Sequence, residues 1–230
     1  EVAAGRQQPA LGQPGQGAVE QGGVVAAGPQ LGHGLLAPRV GPALAELDEA
    51  LELIHRSHRE VVQEGVEGEL PPIGVMVEVP AAVYQARALA RRVSFLSVGS
   101  NDLTQYLLAV DRNNARVADL YHSLHPAVLQ ALVAVAGAAR AENIPIGICG
   151  ELAGEPEGAV LLLAMGYDIL SMNATSLPKV KKALRNVRIA EAQELLSEVM
   201  ELEEASQVRQ RLEQFLATHG MEKFIHSPVD

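Results

Sequence analysis

Four short runs of almost wholly apolar residues recur along this chain: Ile73 to Val79, Val93 to Val98, Ile144 to Cys149 and Asp168 to Met172. Each is followed by a stretch with helical character, near 81–92, 103–109, 157–165 and 176–185, and His125-Pro126 opens a further apolar helix to about Glu142. Strands without polar alternation are buried on both faces, which is the mark of a parallel sheet covered by helices. Four consecutive strand–helix units predict either half of an eight-stranded β/α barrel or an open doubly wound sheet. Local signals agree with these boundaries. Pro80 suits the first turn of a helix, and Ser176 is placed to cap another.

The flanks differ from this middle. Residues 1–43 are rich in Gly, Ala, Gln and Pro, as in Gln13-Pro14-Gly15-Gln16-Gly17, and hold no helical or strand period. They are read as a disordered or non-native leader. A shifted reading frame of a high-GC gene would produce such an abrupt change, and re-reading the nucleotide sequence tests that. Regular pattern starts with Leu44, Leu47, Leu51 and Ile54 on one helix face. The unit 44–188 is the expected partial barrel. Residues 189–230 read as a tail of two helices, with Ser206 as a cap and Gly220 as a stop.

Composition excludes several functions. A formal charge of −10 opposes a nucleic-acid footprint, which needs clustered Lys and Arg. An anionic substrate would need a local reversal of field, most simply a divalent cation. One cysteine, Cys149, rules out an intrachain disulfide and fits a reducing, cytoplasmic setting. No apolar run approaches the roughly 18–20 residues of a membrane helix. Aromatics make up 3% of the chain and Trp is absent, so the core must be aliphatic.

Polar groups gather at the C-terminal ends of the strands: Glu78, then Asn101 and Asp102, then Cys149 and Glu151, then Asn173. In both candidate folds that edge carries the ligand site. Glu78 stands in the apolar run Val75-Met76-Val77-Glu78-Val79, where a carboxylate needs a cation. With Asp102 from the adjacent strand end it could share one Mg²⁺, leaving positions for phosphate and water. The alternative is an arginine salt bridge for each. Cys149 is a small buried hydrophobe or a group at a ligand, and Arg112 an anion clamp or the surface partner of Asp111 or Asp119. The turn Gly99-Ser100-Asn101 could donate N–H groups to an anion or simply leave the strand. His55 with His58, and the patch Lys179, Lys181 and Lys182, read as solvated helix faces.

The blocks Gly74-Val75-Met76-Val77-Glu78-Val79-Pro80, Ser97-Val98-Gly99-Ser100-Asn101-Asp102-Leu103-Thr104-Gln105-Tyr106, Ala109-Val110-Asp111-Arg112 and Ile148-Cys149-Gly150-Glu151-Leu152-Ala153-Gly154 resemble the signatures of Enzyme I, the phosphoenolpyruvate–protein phosphotransferase of bacterial phosphotransfer systems. The resemblance runs from about Glu46 to Arg188. Ser171-Met172-Asn173-Ala174 and Gly220-Met221 are closer to the nitrogen-system paralogue. The resemblance implies the C-terminal portion of a phosphoenolpyruvate-binding (β/α)8 barrel. It implies Mg²⁺ on Glu78 and Asp102, phosphate contact by Asn101, an anion clamp at Arg112, and Cys149 as the acid that protonates the enolate. It also implies a homodimer that passes phosphoryl through a histidine of a separate domain to an HPr-type carrier. That domain is not recognisable here, so a fragment unable to turn over alone is expected, associating through its open sheet edges. The alternatives are a non-catalytic dimerisation or regulatory module, and a fragment of a dikinase- or synthase-type enzyme.

Overall fold

The computed structural model describes two strands, Val24–Ala27 and Leu35–Pro38, and the stretch 44–221. These strands, β1 and β2, pair antiparallel with Val24 opposite Pro38, and β2 lies beside the third strand. The sequence reading placed no element before Leu44. The remainder of the proposed leader lies outside the described residues, as do residues 222–230.

From Leu44 the order is α1 (Leu44–Gln63), β3 (Gly74–Val77), α2 (Pro80–Tyr84), α3 (Ala86–Ala90), β4 (Phe95–Gly99), α4 (Ser100–Leu108), α5 (Pro126–Ala141), β5 (Ile146–Cys149), α6 (Glu151–Gly154), α7 (Pro156–Met165), β6 (Ile169–Ser171), α8 (Leu177–Asn186), α9 (Ile189–Val199) and α10 (Ala205–Thr218). A single 3₁₀ turn, Ala118–Leu120, interrupts the long loop between α4 and α5.

The strands β3 to β6 form one parallel sheet in sequence order. A doubly wound sheet reverses its strand order at a switch point, whereas a barrel adds each strand beside the last. The unbroken order therefore decides for a barrel arc. Register fixes what shares the rim. Val77, Val98, Ile148 and Leu170 lie in one row across the sheet, and Gly99, Cys149 and Ser171 in the next, with Glu78 directly after Val77. The polar strand ends anticipated from sequence are thus level with one another.

The core is aliphatic, as the composition demands. Val75, Val77, Leu96, Val98, Leu132 and Ile148 are essentially inaccessible to water, and each such side chain contributes roughly 1.5–3 kcal/mol relative to exposure. In α7 nine of ten residues are buried, because α8, α9 and α10 cover it. The two tail helices belong to the same core: Leu195, Val199, Val208, Leu212 and Leu216 join the cluster that contains the strands.

Local details depart from the sequence reading. The helix expected over 81–92 is broken at Gln85, whose backbone lies near φ −102° and ψ 3°. Ser176 holds the N-cap position of α8 without a side-chain capping bond. Glu204, not Ser206, is the N-cap of α10, and the Ser206 hydroxyl lies 3.1 Å from a Glu204 carboxylate oxygen. Gly220 follows α10 at φ 71°, as a helix stop should. Among the described residues no helix is long and apolar enough to cross a membrane.

Candidate functional site

The rim is assembled by two stitches between the exits of β4 and β5. Ser100 Oγ donates to the Cys149 carbonyl at 2.9 Å, and the Glu151 backbone N–H donates to Asn101 Oδ1 at 3.1 Å. Because only the amide oxygen can accept that bond, the orientation of the Asn101 side chain is settled and its NH₂ group points away from Glu151. Between the stitches Gly150 has φ +130°, and a Cβ there would stand 2.1 Å from Ser100 Oγ and 2.8 Å from Asn101 Oδ1. Only glycine fits this crossing.

Glu78 lies over the end of β4. A Cβ on Gly99 would fall 2.7 Å from Glu78 Oε1, so the hydrogen-only residue at 99 makes room for the carboxylate. Asp102 stands in the first turn of α4 and pairs with Arg112, Oδ1 to Nη2 being 3.7 Å. The Arg112 backbone N–H donates to Gln105 Oε1 at 3.3 Å, which ties its loop to α4. The free thiol of Cys149 is half-buried. Burial pushes its pKa up, and the negative charges of Glu78 and Asp102 push it further, so it is a neutral S–H at physiological pH. The charges of Glu78 and Asp102 both bear on the Cys149 thiol, Arg112 lies beside Asp102, and Asn101 is part of the flanking stitch.

A groove of about 720 Å³ continues from Asn101 and Gly150 past Glu151 and Glu155 to Ser171 and Asn173. A larger hollow of about 790 Å³ lies against the N-terminal ends of β3 and β4, lined by Leu51, His55, Pro71 and Arg92. It contains none of the strand-end groups, and bottom-face residues of such folds serve stability. His58 Nε2 sits 3.1 Å from the Gly68 carbonyl, while Lys179, Lys181 and Lys182 are exposed on α8. Among the described residues no group of three or more His, Cys, Asp or Glu side chains is arranged to hold a metal. Any ion on Glu78 and Asp102 would therefore take its other positions from substrate and water.

Sequence reasoning missed Ser100 as a stitch, Tyr121, and the acids behind the groove. Tyr121 OH donates to the Asn101 carbonyl at 3.2 Å. Burial raises the carboxyls of Glu155 and Glu157, as does the charge of Glu157 on Glu155, while Arg209 of α10 offsets both. Their charged forms are thus disfavoured in the fold. The stability they contribute is present below the usual carboxylate range and lost as pH rises through their raised folded values. Glu191, held at about 2 chiefly by its hydrogen bond with Arg188, acts in the opposite sense as pH falls below about 4. Calorimetric melting of Glu155→Gln should accordingly show a higher Tm than the parent at pH 7, with the gap closing near pH ~4.5. A variant less stable at pH 7 would contradict this balance.

The parallel arc with its strands in sequence order defines a barrel-type α/β domain, and its C-terminal rim carries carboxylates, an amide, a guanidinium and a thiol. The family model described as "PEP-utilising enzyme, PEP-binding domain" matches residues 26–189, and the chain belongs to this family. The match reaches upstream of Glu46, where the resemblance was expected to start, and takes in β2. The chain is 47% identical over 188 residues to the protein named phosphoenolpyruvate-dependent phosphotransferase system of Escherichia coli K12, covering 81% of this chain and 25% of that protein. It is 44% identical over 149 residues to a phosphoenolpyruvate-protein phosphotransferase of Haemophilus influenzae, covering 65% and 26%. It thus spans about a quarter of the length of these relatives. A citrate lyase of Burkholderia xenovorans LB400 aligns with 74% of this chain and 60% of its own at a TM-score of 0.44 and 16% identity, too distant to carry an argument.

Proposed function

We propose that this chain is the phosphoenolpyruvate-binding part of a phosphoenolpyruvate–protein phosphotransferase. The observation that carries the reading is the convergence of Glu78 and Asp102 on the Cys149 thiol, beside Asn101 and Arg112. Asn101, its amide oxygen engaged by Glu151, turns its N–H donors to a phosphoryl oxygen. Arg112 offers a planar fork to the same anion. Two hard carboxylates from adjacent strand ends, with no nitrogen ligand, are a donor set suited to Mg²⁺. Glu78 and Asp102 would hold that ion, whose chemistry there is neutralisation of charge on the phosphoryl group.

The bond between phosphorus and the enol oxygen breaks, and the phosphoryl group passes to an imidazole nitrogen of the accepting histidine. The electron pair left on the enol oxygen makes an enolate. Its methylene carbon takes a proton from Cys149 Sγ, giving pyruvate and a thiolate that solvent reprotonates. Holding the thiol neutral until this step is what a general acid requires. Delivery onward to an HPr-type carrier, a homodimeric state and a cytoplasmic setting complete the reading.

Calorimetric titration of phosphoenolpyruvate into the chain, with and without Mg²⁺, tests it. Binding is expected with the metal and should weaken strongly in its absence. A folded sample that binds no phosphoenolpyruvate, or binds it equally without metal, would count against the site.

A further inference from the structure

β4 ends at Gly99 and α4 starts at Ser100, so the strand passes straight into the helix. Gly99 is buried, and its backbone lies at φ −86° and ψ 87°. A negative φ is open to residues with a side chain, so the backbone does not itself call for glycine. The position is the N-cap of α4, where Ser, Asp or Asn would stabilise the helix more. Space explains the glycine. A Cβ on Gly99 would meet Glu78 Oε1 at 2.7 Å, Cγ at 2.8 Å and Cδ at 3.1 Å, its three nearest atoms. Ordinary carbon contacts begin near about 3.5 Å, so the Glu78 side chain would have to shift by roughly half an ångström or more.

Glu78 follows β3, whose Val77 pairs with Val98, the residue before Gly99. Asp102 stands three residues beyond Gly99, in the first turn of α4, facing Arg112. Gly99 thus lies against one carboxylate and at the head of the turn that carries the other. We infer that Gly99 is a positioning residue that sets the spacing of Glu78 and Asp102, and so makes the pair selective for a small divalent cation. This rests on the proposed metal-dependent site. Mg²⁺ requires a near-ideal octahedral shell of oxygens at about 2.0–2.1 Å, whereas Ca²⁺ accepts irregular shells at about 2.3–2.6 Å. A carboxylate moved by that much, in either direction, spoils the first kind of shell and remains usable in the second. Gly99 has no side-chain oxygen to offer an ion. It acts only through where Glu78 rests.

The test is Gly99→Ala in the intact chain, with Mg²⁺ and Ca²⁺ titrated separately against bound Mn²⁺ in paramagnetic resonance. Mg²⁺ affinity should fall roughly tenfold or more, the scale of losing a residue that orients a metal ligand. Ca²⁺ affinity should fall by no more than about threefold, because its shell tolerates the displacement. The chain should stay folded, since the crowded atoms belong to a flexible side chain, and any fall in Tm should vanish in a Glu78→Ala background. Equal losses for the two ions, or no loss for either, overturn the spacing role. So does a Gly99→Ala chain that unfolds in both backgrounds, because the crowding would then not be with Glu78. If the parent holds no cation, or Glu78→Ala binds Mg²⁺ as the parent does, the metal reading itself fails and this role with it.

Discussion

Asp102→Asn should abolish Mg²⁺-supported phosphoenolpyruvate binding while leaving the protein folded. The substitution keeps the shape and removes the charge that both holds a cation and faces Arg112 across 3.7 Å. Loss of a metal ligand is expected to cost about a hundredfold or more in affinity, on the order of 2.7 kcal/mol. Its cost to stability should be small. Both side chains of that pair are about a third exposed, and partly exposed pairs contribute about 0–1 kcal/mol. Calorimetry and thermal melting on the same sample give both numbers. Undiminished metal-dependent binding would remove Asp102 from the site, and a collapse in Tm would make the affinity change uninterpretable as chemistry.

Gly150→Ala should damage fold and site together. At φ +130° an alanine is strained, and its Cβ collides with Ser100 Oγ and Asn101 Oδ1, the two atoms that stitch β4 to β5. Backbone strain and overpacking together cost about 2–4 kcal/mol, a fall of roughly 5–15 °C in Tm for a domain of this size. Phosphoenolpyruvate binding should weaken with it, because Asn101 loses its anchor. Gly137→Ala is the control. It lies exposed within α5 with nothing near its virtual Cβ, and alanine there should be neutral or slightly stabilising. If Gly150→Ala melted with the control, the stitches would not be what fixes the rim.

Much of this was legible in the residues themselves. Short apolar strands announce burial on both faces, and a parallel sheet in sequence order makes every strand end one rim. Glu78, Asp102 and Cys149 were accordingly expected on one rim, from positions just after the third and fourth strands and at the end of the fifth. The choice between barrel and doubly wound sheet was not legible in strand composition, which says nothing of strand order; it came from the family resemblance. Tyr121 was hidden for a similar reason. It sits in a polar loop whose return path depends on one left-handed residue, Ala109, and one 3₁₀ turn. No period reports such a path.

The tail offers a different lesson. Residues 189–218 carry no chemical motif, yet α9 and α10 are needed to cover α7. The signal was in α7 itself: Pro156–Met165 is apolar nearly all round, and a helix of that kind must be buried on every side. The antiparallel pair β1–β2 was missed because four-residue apolar runs such as Val24-Val25-Ala26-Ala27, set among Gly and Gln, are too short to establish a period.

In the proposed function one cation on Glu78 and Asp102 would carry the phosphoryl end of phosphoenolpyruvate at this rim. The most direct test replaces Mg²⁺ with paramagnetic Mn²⁺ and follows the ³¹P resonance of phosphoenolpyruvate in the presence of the chain. Strong broadening is expected with the parent protein, beyond that of Mn²⁺ in buffer, and its loss with Asp102→Asn. The same broadening with both proteins, or none with either, would contradict it.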